Sequence, residues 1–136
     1  MVIGATGLVG NALLRAWTAL GAEVSAATYH CHASGGFLQL DIQDEARVRA
    51  LLNERRPAVV AVPAANPYVD YCELHPAETR RVNVDGTLHV ARACRDIGAQ
   101  MIFYSSDYVF DGVLGVYTED SPPCPINEYG RQKAEA

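Results

Sequence analysis

The sequence predicts a doubly wound α/β fold, a parallel sheet with helices on both of its faces. Three observations carry the prediction. The chain opens on an apolar stub that runs straight into a glycine-rich turn, Gly4-Ala5-Thr6-Gly7-Leu8-Val9-Gly10. Short apolar strands then alternate with helical patterns along the chain. Residues 58–65, AVVAVPAA, form a continuous apolar run, the mark of a strand buried on both sides in a parallel sheet.

Each element follows in order. After the glycine turn, Leu8, Val9, Leu13, Leu14, Trp17 and Leu20 recur at helical spacing until Gly21 stops the helix. AEVSAAT reads as a second strand and FLQLDI as a short third. A helix follows over about residues 44–55, with Asp44 as its N-cap and Pro57 beyond its end. Residues 58–65 are the fourth strand. Pro67 and Pro76 punctuate a loop and a helix start, and the helical pattern from Leu88 through Ala91, Ala93 and Cys94 ends at Gly98. AQMIFYSS is a fifth strand, residues 111–127 are loop by composition, and a last helix begins near Ile126. Right-handed crossovers join such strands into a Rossmann-type sheet. Only three residues precede Gly4 and the last helix has no cap, so residues 1–136 are expected to be one dinucleotide-binding domain clipped at both ends.

Composition excludes several classes. The 136 residues are 49% hydrophobic and 20% charged, as in an ordinary soluble domain with one core. A net charge of -5 offers no basic field for nucleic acid. No apolar run approaches the ~20 residues that cross a bilayer. Cys31, Cys72, Cys94 and Cys124 are widely spaced, which predicts reduced thiols in a cytoplasmic protein.

The glycine turn has a physical logic: a tight bend, room for backbone to approach a pyrophosphate, and close packing of helix on sheet, with the anion at the positive helix end. Its spacing is G-x-x-G-x-x-G, a variant of the usual dinucleotide fingerprint. The second strand ends in Thr28-Tyr29-His30-Cys31-His32, without the acidic residue that holds an NAD ribose. A 2′-phosphate meets no repulsion beside Tyr29 and His30, which favours NADPH over NADH. The His-Cys-His run is expected to be solvated loop rather than a metal site, since adjacent residues of an extended strand point to opposite sides and no fourth ligand is evident.

Lys133 is the only lysine, and it stands four residues after Tyr129. On a helix the two share a face. A tyrosine with a pKa near ~10 needs a downward shift of up to about 3 units, or ~4 kcal/mol, to exchange protons readily at neutral pH. An ammonium ~5 Å away at an effective dielectric of ~20 supplies about 3 kcal/mol. Ser105 and Ser106 end the fifth strand at the sheet edge where ligands bind in this architecture. Their hydroxyls either contact a substrate carbonyl or cap a local turn.

GATGLVG, Asp41-Ile42, PAANPYVDYCE, NVDGT, SSDYVFDG and YGRQK together resemble the extended short-chain dehydrogenase/reductases, and within them the dTDP-4-dehydrorhamnose reductase group. The resemblance covers essentially the whole chain. It implies NAD(P)H-dependent reduction of the 4-keto group of a nucleotide-activated deoxysugar. By position it makes Ser106 the residue that polarises the carbonyl, Tyr129 the general acid, and Lys133 the group that lowers the phenol's pKa and holds the nicotinamide ribose. Gly4, Thr6, Gly7, Leu8, Val9 and Gly10 would line the pyrophosphate, Asp41 and Ile42 the adenine, Ala64 and Ala65 the cofactor's middle. Asn83 matches the family's helix asparagine and joins the cofactor set, although a plain polar helix position reads the same way. Asp41 equally reads as a turn former. The resemblance leaves a homodimer as a candidate assembly, and the family's C-terminal substrate lobe has no counterpart in these residues.

Two departures stand out. Pro63 occupies a position where family members often carry part of an Asn-Ala-Ala run, and it threatens one ladder bond. Asp107 is followed by Tyr108, so the glutamate that a dehydratase would use is missing, which ranks dehydratase or epimerase chemistry last. A non-catalytic, NADP-binding regulatory subunit, like that of methionine adenosyltransferase, shares SSDYVFDG and is the other alternative.

Overall fold

The computed structural model describes residues 1–29, 36–113 and 115–136. Its centre is a five-stranded sheet in the order β3-β2-β1-β4-β5, built from β1 (Val2–Ile3), β2 (Ala26–Thr28), β3 (Leu38–Gln39), β4 (Val59–Val62) and β5 (Gln100–Phe103). All four pairings are parallel. The order runs outward from β1 to β3, then restarts on the other side at β4. A crevice therefore opens between β1 and β4 at their carboxyl ends.

Helices cover both faces. Helix α1 (Leu8–Ala19) packs Leu13, Leu14 and Trp17 against Val2, Ala5 and Ala26. The alternate residues Met1, Ile3, Ala27, Val60 and Val62 face the opposite side. There they meet Val48, Leu51 and Leu52 of α2 (Glu45–Arg55) and Val90, Ala93 and Cys94 of α5 (Thr87–Ile97). Asp44 caps α2 by accepting from the Arg47 amide at 2.9 Å, and Gly98 closes α5 at φ 72°. Gly21 ends α1 at φ 79°.

The connection between β4 and β5 departs from expectation. Residues 67–75 hold a short helix, α3 (Val69–Leu74), too brief to show apolar periodicity in the sequence. From Pro76 the chain winds without a break through α4 (Pro76–Arg80), a wide π-type stretch (Arg81–Gly86) and α5. Pro63 falls just after β4, and the next amide, Ala64 N, donates to the Ile3 carbonyl at 3.1 Å. The bond it lacks is thus lost at the strand's end, where the loss is cheapest. After β5 come a single 3₁₀ turn (Asp107–Val109) and α6 (Glu128–Glu135), which Asn127 caps through Gly130 N at 2.8 Å. No helix among the described residues is long and apolar enough to cross a membrane.

Candidate active site

The glycine turn leaves β1 and enters α1 at the mouth of the crevice. Gly4 has φ 95°, and a side chain there would reach within 2.7 Å of the Ala64 amide, so only glycine lets β1 and the end of β4 close up. Gly7 is the N-cap of α1 and provides no side-chain cap. No acidic residue occupies the first turn. The amides at the start of α1 are therefore left for an anion, aided by the helix dipole.

Beyond this turn lies a hollow of about 430 Å³, walled in part by Gly4, Thr6, Gly7, Thr28, Tyr29, Asp41, Ile42, Ala64 and Ala65. Thr6 and Thr28 join hydroxyls across its floor at 2.7 Å. Asp41 serves as turn former as well as wall, since its Oδ1 accepts from the Gln43 amide at 2.9 Å. Ile42 is buried in the core and also borders the hollow, and its carbonyl is held by His89 Nδ1 at 3.0 Å. A glycine turn, an open helix start and a hollow flanked by Asp41 and Ile42 suit a dinucleotide.

Gly10, Leu8, Val9 and Asn83, all expected at the cofactor, do not line this hollow. Gly10 is buried rather than lining the hollow: a Cβ there would overlap the Gly4 carbonyl, so this glycine serves helix-on-sheet packing. Leu8, 92% exposed, and Val9 are not among the residues that wall the hollow. Asn83 is 1% exposed, and its amide is spent within the protein. It accepts from Asn66 N at 2.7 Å and donates to Asn66 O at 3.1 Å and Gln132 Oε1 at 2.9 Å. His30, with the His-Cys-His run, lies outside the described residues. Among the described residues no cluster of His, Cys, Asp and Glu could hold a metal ion.

Sequence reasoning missed Gln43, Asn66, Tyr68 and Glu78 on the wall. Gln43 and Asn66 directly follow Asp41-Ile42 and Ala64-Ala65, which is a signal of position. Glu78 comes from α4 and carries no such signal.

Ser106, Tyr129 and Lys133 do not line that hollow. They gather at the end of the next strand. Val62 and Phe103 are in register across β4 and β5, so Ala64-Ala65 and Ser105-Ser106 leave the sheet side by side at its carboxyl edge. Ser106 caps the 3₁₀ turn, accepting from Tyr108 N at 3.3 Å and donating to Asp107 Oδ1 at 3.1 Å. Helix α6 packs on this turn through Gly130, where any side chain would overlap the Tyr108 carbonyl. The rings of Tyr129 and Tyr108 meet edge to face at 5.9 Å.

The protonation states differ from expectation. Burial pushes the Tyr129 phenol above its ordinary value, with the nearby Cys72, Asp107 and Tyr108 adding to the rise and a hydrogen bond with Ser106 pulling the other way. Lys133 does not bring it down. Its ammonium sits over the Phe103 ring, 4.1 Å from the centroid, and burial lowers its own pKa to about 8.

A parallel sheet that reverses order beside a glycine turn, with tyrosine, lysine and serine at the neighbouring strand end, defines a nucleotide-binding protein of the extended short-chain dehydrogenase/reductase type. Residues 1–136 match the family described as RmlD substrate binding domain, and the chain belongs to it. It is 42% identical over 134 residues to a dTDP-4-dehydrorhamnose reductase of Streptomyces griseus, covering 98% of this chain and 41% of that one. It is 36% identical over 140 residues to methionine adenosyltransferase 2 subunit beta of Xenopus laevis, covering 99% of this chain and 40% of the relative. The chain thus spans about 40% of the length of these curated relatives. Among solved structures, a dTDP-4-dehydrorhamnose reductase of Bacillus anthracis in complex with NADP superposes with a TM-score of 0.84 at 29% identity, over 98% of this chain and 45% of that one. A Thermus thermophilus UDP-glucose 4-epimerase in complex with NAD gives a TM-score of 0.86 at 26% identity, over 98% and 46%.

Proposed function

We propose that the chain forms the cofactor-binding and proton-donating part of an NAD(P)H-dependent reductase acting on the 4-keto group of a nucleotide-activated deoxysugar. The observation that carries this reading is the convergence at the carboxyl end of β5, one strand from the glycine turn, of Ser106, of Tyr129, whose ring meets Tyr108, and of Lys133, whose ammonium rests over Phe103. Support also comes from the identity to a dTDP-4-dehydrorhamnose reductase.

A nicotinamide cofactor, when bound, supplies hydride to the carbonyl carbon. The chain's own groups do the rest. Tyr129, held protonated by burial, gives its phenolic proton to the carbonyl oxygen, and the Ser106 hydroxyl donates a hydrogen bond to the same oxygen. Lys133, with its pKa near 8, is mostly ammonium at neutral pH and would hold the nicotinamide ribose. Gly4 and Gly7 give backbone access at the start of α1, where the pyrophosphate would lie. NADPH is favoured over NADH because Thr28-Tyr29 brings no carboxylate to the ribose. Cys72 and Cys94, buried and unpaired, fit a reducing cytoplasm.

The test is ketosugar-dependent oxidation of NADPH by the full-length protein, with NADH alongside. Tyr129→Phe should lower turnover by about 10²–10⁴-fold with little change in cofactor affinity. Undiminished turnover in that variant refutes the reading. The similarity to methionine adenosyltransferase 2 subunit beta favours a second one, a cofactor-binding subunit without turnover. Stoichiometric capture of a partner enzyme, together with no reductase activity on a ketosugar panel, would select it.

A further inference from the structure

Gln132 lies between Tyr129 and Lys133 in α6 and is only 1% exposed. Its Nε2 donates to the Pro76 carbonyl at 3.2 Å, to Thr79 Oγ1 at 3.0 Å and to Glu128 Oε1 at 3.0 Å. Its Oε1 accepts from Asn83 Nδ2 at 2.9 Å. Asn83 in turn grips both backbone atoms of Asn66, a residue of the cleft wall. An unbroken chain of hydrogen bonds therefore runs from the wall of the cofactor hollow, through Asn83 and Gln132, into the helix that carries the phenol.

Backbone atoms fix its polarity at both ends. The Asn66 N–H can only donate, so Asn83 Oδ1 must face it and Asn83 Nδ2 must face Gln132. The Pro76 carbonyl can only accept, so it holds Gln132 Nε2 in place. Neither amide can flip without setting like groups against each other. The ion pairs and charged contacts of α6 are exposed: Glu73 accepts from Glu128 N at 2.8 Å and pairs with Arg131, and Arg80 pairs with Glu135. Water and salt weaken those pairs, but not the buried amide chain.

We propose that Gln132 is a positioning residue for Tyr129, locking the proton-donor helix to the cofactor cleft through Asn83 so that the two keep one geometry. The proposal rests on the reading of Tyr129 given above, and its test does not depend on turnover. The phenolate of Tyr129 is titrated by ultraviolet difference spectroscopy in the full-length protein, with Tyr129→Phe as the blank, before and after Gln132→Met. Methionine fills similar space and makes none of the amide's bonds. Cys72, Asp107, Tyr108 and Ser106 surround the phenol and are unchanged by the substitution.

In a Gln132→Met protein that keeps its circular dichroism and a cooperative melt, Tyr129 should titrate at lower pH, towards ordinary tyrosine, as a loosened α6 lets water reach the phenol. An unchanged titration in the folded variant overturns the proposal. Should that variant fail to fold, Thr79→Val removes a single partner of the Gln132 amide, and the same criterion applies to it. Loss or survival of turnover in Tyr129→Phe judges only the catalytic reading, so the two ideas fail separately.

Discussion

The ammonium of Lys133 rests over the ring of Phe103, 4.1 Å from its centre, and among the described residues no carboxylate pairs with it. A cation–π contact compensates a buried charge only in part. The chain thus keeps its one lysine at a position that works against folding.

That cost has a pH signature. The folded-state pKa is about 8, below the ~10.4 of a free lysine, so the folded form prefers the neutral amine. The penalty is fully present below about pH 8 and fades as pH rises from there towards ~10.4, where folded and unfolded chains are both neutral. Lys133→Met should therefore raise the melting temperature by about 2–8 °C near neutral pH, with the gain shrinking above about pH 8. Thermal melts across that range check it; a gain that stays level from about pH 6 to about pH 10 contradicts the assignment.

Two glycines of the same turn should separate fold from binding. A methyl group at Gly10 overlaps the Gly4 backbone, whereas at Gly7 the nearest such atom, the Gly4 carbonyl oxygen, is 3.4 Å away. Gly10→Ala should cost about 1–3 kcal/mol or more of stability in denaturant unfolding. Gly7→Ala should melt within a few degrees of the parent yet bind NADPH at least about tenfold more weakly by fluorescence titration, because its methyl enters the anion's approach.

Ser106 has two employments, capping the turn at 107–109 and, in the proposed reading, offering its hydroxyl beside the Tyr129 phenol. Ser106→Ala loses both, and turnover of the full-length protein should fall by about 10–10³-fold. Ser106→Thr keeps the hydroxyl and should retain most of the activity. Equal losses in the two variants would mean that the hydroxyl is not what matters.

Much of this was legible in the sequence, for identifiable reasons. The succession of strands and helices and the glycine turn could be read because alternation of elements and fixed glycine spacing are local signals, and Asp44 and Gly98 announce their caps. The burial of Asn83 was not legible, since Asn66 and Gln132, which enclose it, lie 17 and 49 residues away. Tyr129 and Lys133 could be read as a pair from their helical spacing together with the serines that end the fifth strand and the resemblance of SSDYVFDG and YGRQK. Their protonation was misjudged because desolvation depends on what the rest of the chain packs around them, here Phe103 and the 107–109 turn. Gly130 was visible in YGRQK, but its purpose appears only once the Tyr108 carbonyl is seen beneath it.

The wide stretch at Arg81–Gly86 has its own consequence. A helix wound throughout at ~3.6 residues per turn would let a stripe through Thr79, Asn83, Thr87, Val90 and Cys94 drift around the rod. A slower-wound segment counters that drift, and all five of these side chains are buried. Excising a single residue there would improve the helix as a helix, yet leave its leading half, with the asparagine that bonds Asn66 and Gln132, out of step with the half embedded in the sheet.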